Sequence, residues 1–217
     1  MSDFSSIPSL KGIINLCKKS NYNFQRAILE FIDNSLSVDS KNISIELKAN
    51  YTSYENNNNQ IDTIVISDDG YGFNSIETVN GKKSGIVAIT ECFKFTTDRI
   101  RTNDDISENG IGFKSALVNI GSILHCYTKN SNNEYYRIIL DLNYMIEENN
   151  KNVLKGWGPK IYNISETEYK EYNQYNKGTT FILTKLHQGF IPDINQGIQL
   201  LKKEIIKTYN YYFLDNN

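Results

Sequence analysis

The chain is short of the residues that mark several protein classes. Its 217 residues include only three prolines, three cysteines and two histidines. The cysteines, Cys17, Cys92 and Cys126, form no C-x-x-C pair, which excludes a zinc ribbon and argues against a disulfide framework. We expect them to be small buried hydrophobic residues. With 39% hydrophobic and 22% charged residues, the composition excludes disordered and collagen-like classes and predicts a globular domain.

The sequence also lacks a membrane segment and a strong excess of either charge. No apolar run approaches the roughly 18 residues that a membrane span needs, and the first residues do not form a secretory signal. The formal net charge is -2, and no basic run is longer than two lysines. We therefore expect an intracellular, cytoplasmic protein, and the composition gives no support for membrane or nucleic-acid binding.

The apolar patterning predicts helices and strands in an order that does not alternate regularly. Such an order favours an α+β two-layer sandwich over a doubly wound parallel sheet. The predicted elements are two helices within 9–38, a hairpin of strands at 43–47 and 61–67, helices at 85–95 and 113–120, strands at 122–128, 134–142 and 179–186, and a helix at 194–213.

The length and two polar stretches suggest the domain organisation. The chain is long enough for one sizeable domain, which we place at 1–193, followed by a C-terminal helix at 194–217. The segment at about 94–109 is polar and without periodicity, which is typical of a lid. Residues 145–176 are expected to form an irregular insertion.

A first candidate motif is the stretch from Glu30 to Asn34 on the second predicted helix. Residues four apart lie one turn apart on the same helix face, and these two fall at the edge of the apolar stripe. An amide oxygen at Asn34 suits Mg²⁺, and the carboxylate of Glu30 could deprotonate a water molecule. The alternative is an exposed helix edge with two ordinary polar residues.

A second motif, Asp68 to Gly72, follows a strand directly. The carboxylate of Asp68 is a hydrogen-bond acceptor and suits an exocyclic amine such as adenine N6. Gly72 allows a positive φ and close approach of a ligand to the backbone. The alternative is a tight turn in which aspartate and glycine occur because they favour turns.

A third motif, Gly110 to Ala116, places two glycines before a short helix. Backbone N–H groups at a helix N-terminus bind anions such as phosphate. Lys114 adds a cation in the first turn, where the helix dipole disfavours it unless an anion is present. The alternative is a glycine hinge that closes the preceding loop.

A fourth motif is Gly178-Thr179-Thr180 at the start of a strand. Successive strand residues point to opposite faces, so one of the two threonine hydroxyls can face a pocket while the other points away. Glycine followed by threonine is also a common way to begin a strand, and this alternative stays open.

Together, in this order and spacing, the four motifs resemble the GHKL superfamily of ATP-binding domains, which includes Hsp90, DNA gyrase B, MutL, MORC proteins and histidine kinases. The N-box corresponds to Glu30–Asn34, the D-x-G-x-G box to Asp68–Gly72, the second glycine box to Gly110–Ala116 and the late Gly-Thr to Gly178–Thr179. The resemblance covers roughly residues 22–186. The string G-I-G-F-K-S-A is most similar to the Hsp90 and MORC branches.

The resemblance implies a Bergerat-type fold, in which helices cover one face of a mixed β-sheet, with ATP and Mg²⁺ as cofactors. It also implies a role for each matching residue. Glu30 would be the general base, Asn34 the Mg²⁺ ligand, Asp68 the adenine partner, Gly72 the point of nucleotide approach, Gly110, Ile111, Gly112, Phe113 and Lys114 the phosphate contacts, and Thr179 an aid to Asp68 through water.

The function implied is Mg²⁺-dependent ATP binding and hydrolysis, with lid closure coupled to dimerisation in a larger chaperone-like or MORC-like machine. The partners would be ATP or ADP and, in the ATP-bound state, a second copy of the chain. A MORC-like role would allow a nuclear location. The family completes its site with a basic residue from a following transducer or middle domain, so the chain alone is expected to be a weak ATPase. The alternatives are a nucleotide-gated switch with little hydrolysis and a histidine kinase catalytic domain, which usually lacks a glutamate at the position of Glu30.

Overall fold

The computed structural model describes residues 9–18, 22–49, 59–73, 93, 112–130 and 132–214, with 212–214 described by their backbone alone. Apolar residues recur at helical spacing in the first helices and on alternate positions along much of the strands, so each of these helices has a buried face. The elements are α1 (Leu10–Lys18), α2 (Phe24–Ser37), β1 (Ile43–Ala49), β2 (Ile61–Asp68), α3 (Gly112–Ile120), β3 (Gly121–Lys129), β4 (Tyr135–Asp141), α4 (Leu142–Lys151), β5 (Lys160–Asn163), α5 (Glu166–Tyr172), β6 (Gly178–Leu186) and α6 (Ile194–Leu214).

The described strands form one six-stranded sheet in the order β1-β2-β6-β3-β4-β5. This confirms the α+β prediction, but every pairing between the named strands is antiparallel, so the expected mixed sheet is corrected. The reason is the position of β6. Strands β2 and β3 run in the same direction, and β6 lies between them, antiparallel to both.

A layer of phenylalanine rings joins the helices to the sheet. Phe31 of α2 lies 5.0 Å from Phe113 of α3 and 5.3 Å from Phe181 of β6, measured between ring centroids, and both pairs are edge-to-face. Phe73 and Phe93 extend the same cluster. Edge-to-face aromatic pairs add about 0.5–1.5 kcal/mol to the effect of burial. The cluster therefore fixes α2 and α3 over one face of the sheet.

Helix α5 lies against the other face of the sheet. Cys126 of β3 belongs to the core beneath the helices, and its neighbour Tyr127 points the opposite way, as successive strand residues do. The ring of Tyr127 stacks on Tyr172 of α5 at 3.9 Å, and Tyr169 of α5 is fully buried. The expectation that helices cover only one face is corrected at this end of the sheet.

The segment 145–176 is also more regular than expected. It contains most of α4, all of β5 and α5, and the turn with Trp157, whose indole nitrogen donates to the carbonyl of Val153. A side chain caps the start of each of the two helices. Asp141 accepts from two amides at the start of α4, and Ser165 accepts from the amide of Glu168 at the start of α5. These caps satisfy N–H groups at the helix starts. The weak apolar pattern of the segment did not indicate the helices themselves.

The remaining predicted elements agree with the structure within a few residues. The two N-terminal helices, the hairpin, the short helix, the later strands and the C-terminal helix are confirmed. Cys17 and Cys126 are buried, as expected. Three other predictions lie outside the described residues: the burial of Cys92, the helix at 85–95 except for Phe93, and the lid at about 94–109. None of the helices in the described part of the chain has both the length and the apolar character required of a membrane span.

The core beneath α3 gives a stability prediction. Leu117 is fully buried, so Leu117→Ala should lower the free energy of unfolding by about 2–5 kcal/mol through lost burial and the cavity it leaves. Leu16, on α1, is 66% exposed and is the matched control; Leu16→Ala should change stability by no more than about 0.5 kcal/mol. Urea denaturation of both variants measures the difference, and equal losses would contradict the assigned core.

Candidate functional site

Helix α2 carries the first motif along the edge of its buried face. Asn23 caps the helix by accepting from the amide of Arg26 at 2.9 Å. Phe31 and Ser35 are buried against the layers below, whereas Glu30 and Asn34 are half-buried, one turn apart. The structure therefore places both polar residues at the margin of the core, where they can contact a ligand.

The carboxylate of Glu30 is held between a tyrosine and the start of α3. The hydroxyl of Tyr22 donates to Oε1 of Glu30 at 2.8 Å. On the other side, a Cβ at Gly112 would collide with the carboxylate, and Oε2 would be its nearest neighbour. Burial raises the pKa of Glu30, the Tyr22 hydrogen bond lowers it, and the charge of Asp33 raises it. The net direction is upward, because burial is the largest of the three causes.

Asp68 is the most deeply placed acidic group of the site, with 1% of its surface exposed. Oδ1 accepts from the backbone amides of Gly70 at 2.9 Å and Thr179 at 3.2 Å. Oδ2 lies 3.1 Å from the hydroxyl of Ser35, which is also 3.1 Å from the carbonyl of Phe31 and has one hydrogen to share between them. Burial outweighs these donors and raises the pKa of Asp68 to about 6.

The turn after β2 packs closely on the end of β3. Gly72 has a φ of +70°, and a Cβ there would collide with the carbonyl of Lys129, so packing alone already requires glycine. The hydroxyl of Thr128 lies 3.0 Å from that of Thr179 and accepts from the amide of Phe73 at 3.2 Å. Thr179 thus reaches Asp68 directly through its backbone amide, while its hydroxyl pairs with Thr128. Thr128 is a candidate site residue that the motifs do not include.

The start of α3 contributes backbone groups rather than exposed side chains. The side chain of Phe113 is buried in the phenylalanine cluster, so only its backbone can face an anion. The side chain of Lys114 is 2% exposed, and a phosphate contact by its ammonium group stays a prediction. Gly110 and Ile111 lie outside the described residues.

The C-terminal helix also touches α2 beside the site. The hydroxyl of Tyr209 donates to Oδ1 of Asp33 at 2.6 Å and lies 3.4 Å from the carbonyl of Leu29. Burial raises the pKa of Asp33, and the hydrogen bond from Tyr209 lowers it. Tyr209 interrupts the helical backbone of α6, with φ -107° and ψ 17°. The contact joins α6 to the residue next to Asn34.

The structure therefore brings together residues from all four motifs. Glu30 meets Gly112, Ser35 joins α2 to Asp68, and Asp68 meets Thr179 at the ends of two paired strands. Alternation along the strands places Asp68, Thr128 and Thr179 on the face beneath the helices. The arrangement combines a buried acceptor, a half-buried carboxylate and a helix N-terminus in one region.

Comparison with protein families gives one match over most of the chain. Residues 22–179 match the family described as histidine kinase-, DNA gyrase B-, and HSP90-like ATPase. This range contains the first three motifs and Gly178–Thr179 of the fourth. A search of curated proteins finds no match.

Several solved structures are similar to the chain at low sequence identity. They include the N-terminal domain of a DNA repair protein (18% identity, 92% of this chain and 44% of that chain, TM-score 0.47). The ATPase and transducer domains of DNA topoisomerase II from Balamuthia mandrillaris give 15% identity, coverages of 84% and 43%, and a TM-score of 0.48. The ATPase region of Saccharomyces cerevisiae topoisomerase II has 16% sequence identity to this chain. The match covers 83% of this chain and 43% of that chain, with a TM-score of 0.47. The chain therefore corresponds to less than half the length of each of these three proteins.

The burial of Asp68 predicts a distinctive dependence of stability on pH. Its pKa is raised from 3.8 to about 6 in the folded state, so the folded protein holds this proton more tightly than the unfolded chain. The contribution of Asp68 to stability is therefore greatest below about pH 4 and falls as the pH rises to about 6. Asp68→Asn keeps an acceptor for Gly70 and Thr179 and removes the charge, so its stability relative to wild type should increase between pH 4 and pH 7 in urea denaturation.

A carbon-13 NMR titration provides a direct check. The carboxyl resonance that is absent from Asp68→Asn should titrate near pH 6 in the wild type. A midpoint near 4 would contradict the effect assigned to burial.

Proposed function

Because the chain belongs to the family of histidine kinase-, DNA gyrase B- and HSP90-like ATPases, we propose that it binds ATP with Mg²⁺ and hydrolyses the terminal phosphate. The observation that carries this proposal is the contact between Glu30 and Gly112. It puts a half-buried carboxylate against the N-terminus of α3, where backbone N–H groups are available to an anion. A base beside a phosphate-binding helix start is the arrangement that hydrolysis requires.

Glu30 is the proposed general base. A carboxylate accepts a proton from water more effectively as its pKa rises toward the working pH, provided that it stays ionised. Burial moves the pKa of Glu30 in that direction. The contact with Gly112 leaves Oε2 on the side of α3, so this oxygen is the one that faces the proposed phosphate site.

Asn34 is the proposed protein ligand of Mg²⁺. Its amide oxygen is a hard ligand, and Mg²⁺ usually takes only one or two protein ligands together with phosphate oxygens and water. A half-buried position one turn from Glu30 fits this chemistry. The ion, when bound, would neutralise charge on the phosphates and orient them.

Asp68 is the proposed partner of the adenine amine. An ionised carboxylate has about four acceptor positions. The amides of Gly70 and Thr179 take two of them. The hydroxyls of Ser35 and Ser40 also interact with the carboxylate, but each can donate to a backbone carbonyl instead, so the N6 amine can take a position that a hydroxyl gives up. We keep three further roles in the proposal. Gly72 lets the nucleotide approach the backbone, the start of α3 contacts the phosphates, and Thr179 assists Asp68.

Hydrolysis is favoured here over phosphotransfer to a histidine because of Glu30, which histidine kinases usually lack. We extend the proposal to lid closure over ATP by the segment at about 94–109, coupled to dimerisation in a larger Hsp90-like or MORC-like machine. In this view α6 leads toward a transducer or middle domain that supplies a basic residue. The contact of Tyr209 with Asp33 supports α6 as the physical connection to the site.

Replacement of the base tests hydrolysis. Glu30→Gln keeps an oxygen that can accept from Tyr22, so the site retains its shape and loses only the base. Turnover of Mg-ATP should fall by about 10²–10⁴, while the affinity for a non-hydrolysable analogue stays within a few-fold. Phosphate release and calorimetric titration give the two quantities.

Glu147→Gln, at an exposed position of α4, is the matched control and should behave as wild type. Unchanged turnover in Glu30→Gln would remove Glu30 from the mechanism. A wild-type chain that binds ATP tightly without turnover would instead favour the nucleotide-gated switch.

Base selectivity tests the role of Asp68. Guanine presents a carbonyl oxygen where adenine has its amine, and a buried group left unpaired costs about 1–3 kcal/mol, more when it is charged. ADP should therefore bind at least roughly tenfold more tightly than GDP, since tenfold corresponds to about 1.4 kcal/mol. Asp68→Asn should narrow this ratio, because the amide can turn a donor toward guanine.

Competition binding of ADP against GDP measures both affinities. Asp62→Asn, on the same strand, is the control and should keep the wild-type ratio. Equal affinities in the wild type would mean that the base lies elsewhere.

A further inference from the structure

Tyr22 lies outside every motif yet makes a direct contact with the proposed base. It precedes the cap of α2, and its ring is partly buried against the core. Its hydroxyl donates to Oε1 of Glu30 at 2.8 Å, eight residues further along the chain. Tyr22 and Glu30 also line one open pocket of about 410 Å³, together with Arg26, Leu29 and Asp33.

We propose that Tyr22 is a positioning residue that holds the carboxylate of Glu30 in its catalytic orientation. The inference rests on the proposed function, in which Glu30 is the general base. The two carboxylate oxygens of Glu30 have different neighbours, and this difference carries the inference. Oε1 accepts a hydrogen bond from Tyr22, and Oε2 lies nearest to Gly112 at the start of α3. With one oxygen anchored, the carboxylate cannot rotate freely, and the other oxygen stays directed toward α3.

The charges around Glu30 determine the effect of losing this hydrogen bond. On the same side of α2 are Arg26, which lines the pocket, and Asp33, whose charge raises the pKa of Glu30. From α6, Tyr209 contacts Asp33, and from α3 the backbone of Gly112, which cannot titrate, lies against the carboxylate. Lys114, two residues later, has its side chain buried. Of these groups, Tyr22 supplies the hydrogen bond that favours the ionised form of Glu30.

The variant Tyr22→Phe isolates the hydroxyl, because the ring and its packing stay. In the full chain, kcat for Mg-ATP should fall by at least about tenfold, the lower limit of what one hydrogen bond to a charged group contributes, with KM within about twofold because Tyr22 acts on the base and not on the nucleotide. The acidic limb of the kcat profile should move to higher pH, since the ionised form of Glu30 loses a donor.

Tyr162→Phe provides the matched control, because this tyrosine is 46% exposed on β5. It should reproduce wild-type kcat, KM and pH profile. Thermal melting of Tyr22→Phe verifies that the variant is folded at the assay temperature. A kcat and an acidic limb equal to those of wild type would overturn the positioning role.

A double variant separates this inference from the proposal on which it rests. In the Glu30→Gln background, Tyr22→Phe should have no further effect on turnover, because Tyr22 acts only through the carboxylate. An additional tenfold loss there would overturn the inference while leaving Glu30 as the base. Full activity of Glu30→Gln alone would overturn the proposed function instead.

A measurement independent of turnover addresses the contact itself. The side-chain carboxyl of Glu30, assigned by carbon-13 NMR from its absence in Glu30→Gln, should titrate at higher pH in Tyr22→Phe than in wild type. An unchanged midpoint would show that the hydroxyl does not act on the carboxylate, and would overturn the inference whatever the activity of the chain.

Discussion

The buried carboxylate of Asp68 joins the segments on which the rest of the site depends. One oxygen accepts from the amides of Gly70 and Thr179, and the other faces the hydroxyl of Ser35 on α2. These contacts fix the end of β2 relative to the start of β6 and to the helix that carries Glu30. Because a carboxylate is costly to bury without donors, the three segments are favoured in this arrangement together. The first residue of β6, Gly178, lies so close to the backbone of Asp68 that a Cβ there would collide with it. The ends of the two strands can therefore approach this closely only with glycine at this position.

Those parts of the fold with a clear apolar period could be predicted from the sequence, and those that depend on distant contacts could not. The buried residues of α2 recur at helical spacing and those of β4 on alternate positions, so the type and limits of both elements follow from local residues. Helices α4 and α5 are largely polar and are indicated only by their caps, Asp141 and Ser165, the latter followed three residues later by Glu168. The antiparallel sheet depends on where β6 inserts, which no local pattern encodes.

The candidate site divides in the same way. Glu30 and Asp68 stand in short motifs and could be identified from residue types and spacing. Thr128 could not, because its place beside Thr179 follows from the register of β3 and β6, in which the two residues are cross-strand partners 51 positions apart. Lys114 shows the opposite difficulty: its charge suggested an exposed contact, but α3 is buried on most sides between α2 and the sheet, and its side chain is enclosed with it.

Glu30 and Asp68 share a pKa raised by burial, but the proposed chemistry uses the two carboxylates differently. For Glu30, a higher pKa makes a stronger base for as long as the group is ionised. Asp68 must be ionised to accept the adenine amine, and its pKa of about 6 leaves part of the population protonated in mildly acidic solution. An amine that donates to the carboxylate favours the ionised form and lowers this pKa. In the proposed site, nucleotide binding near pH 6 would therefore be coupled to release of the Asp68 proton, and the burial proposed to make the contact selective for adenine would also make it dependent on pH.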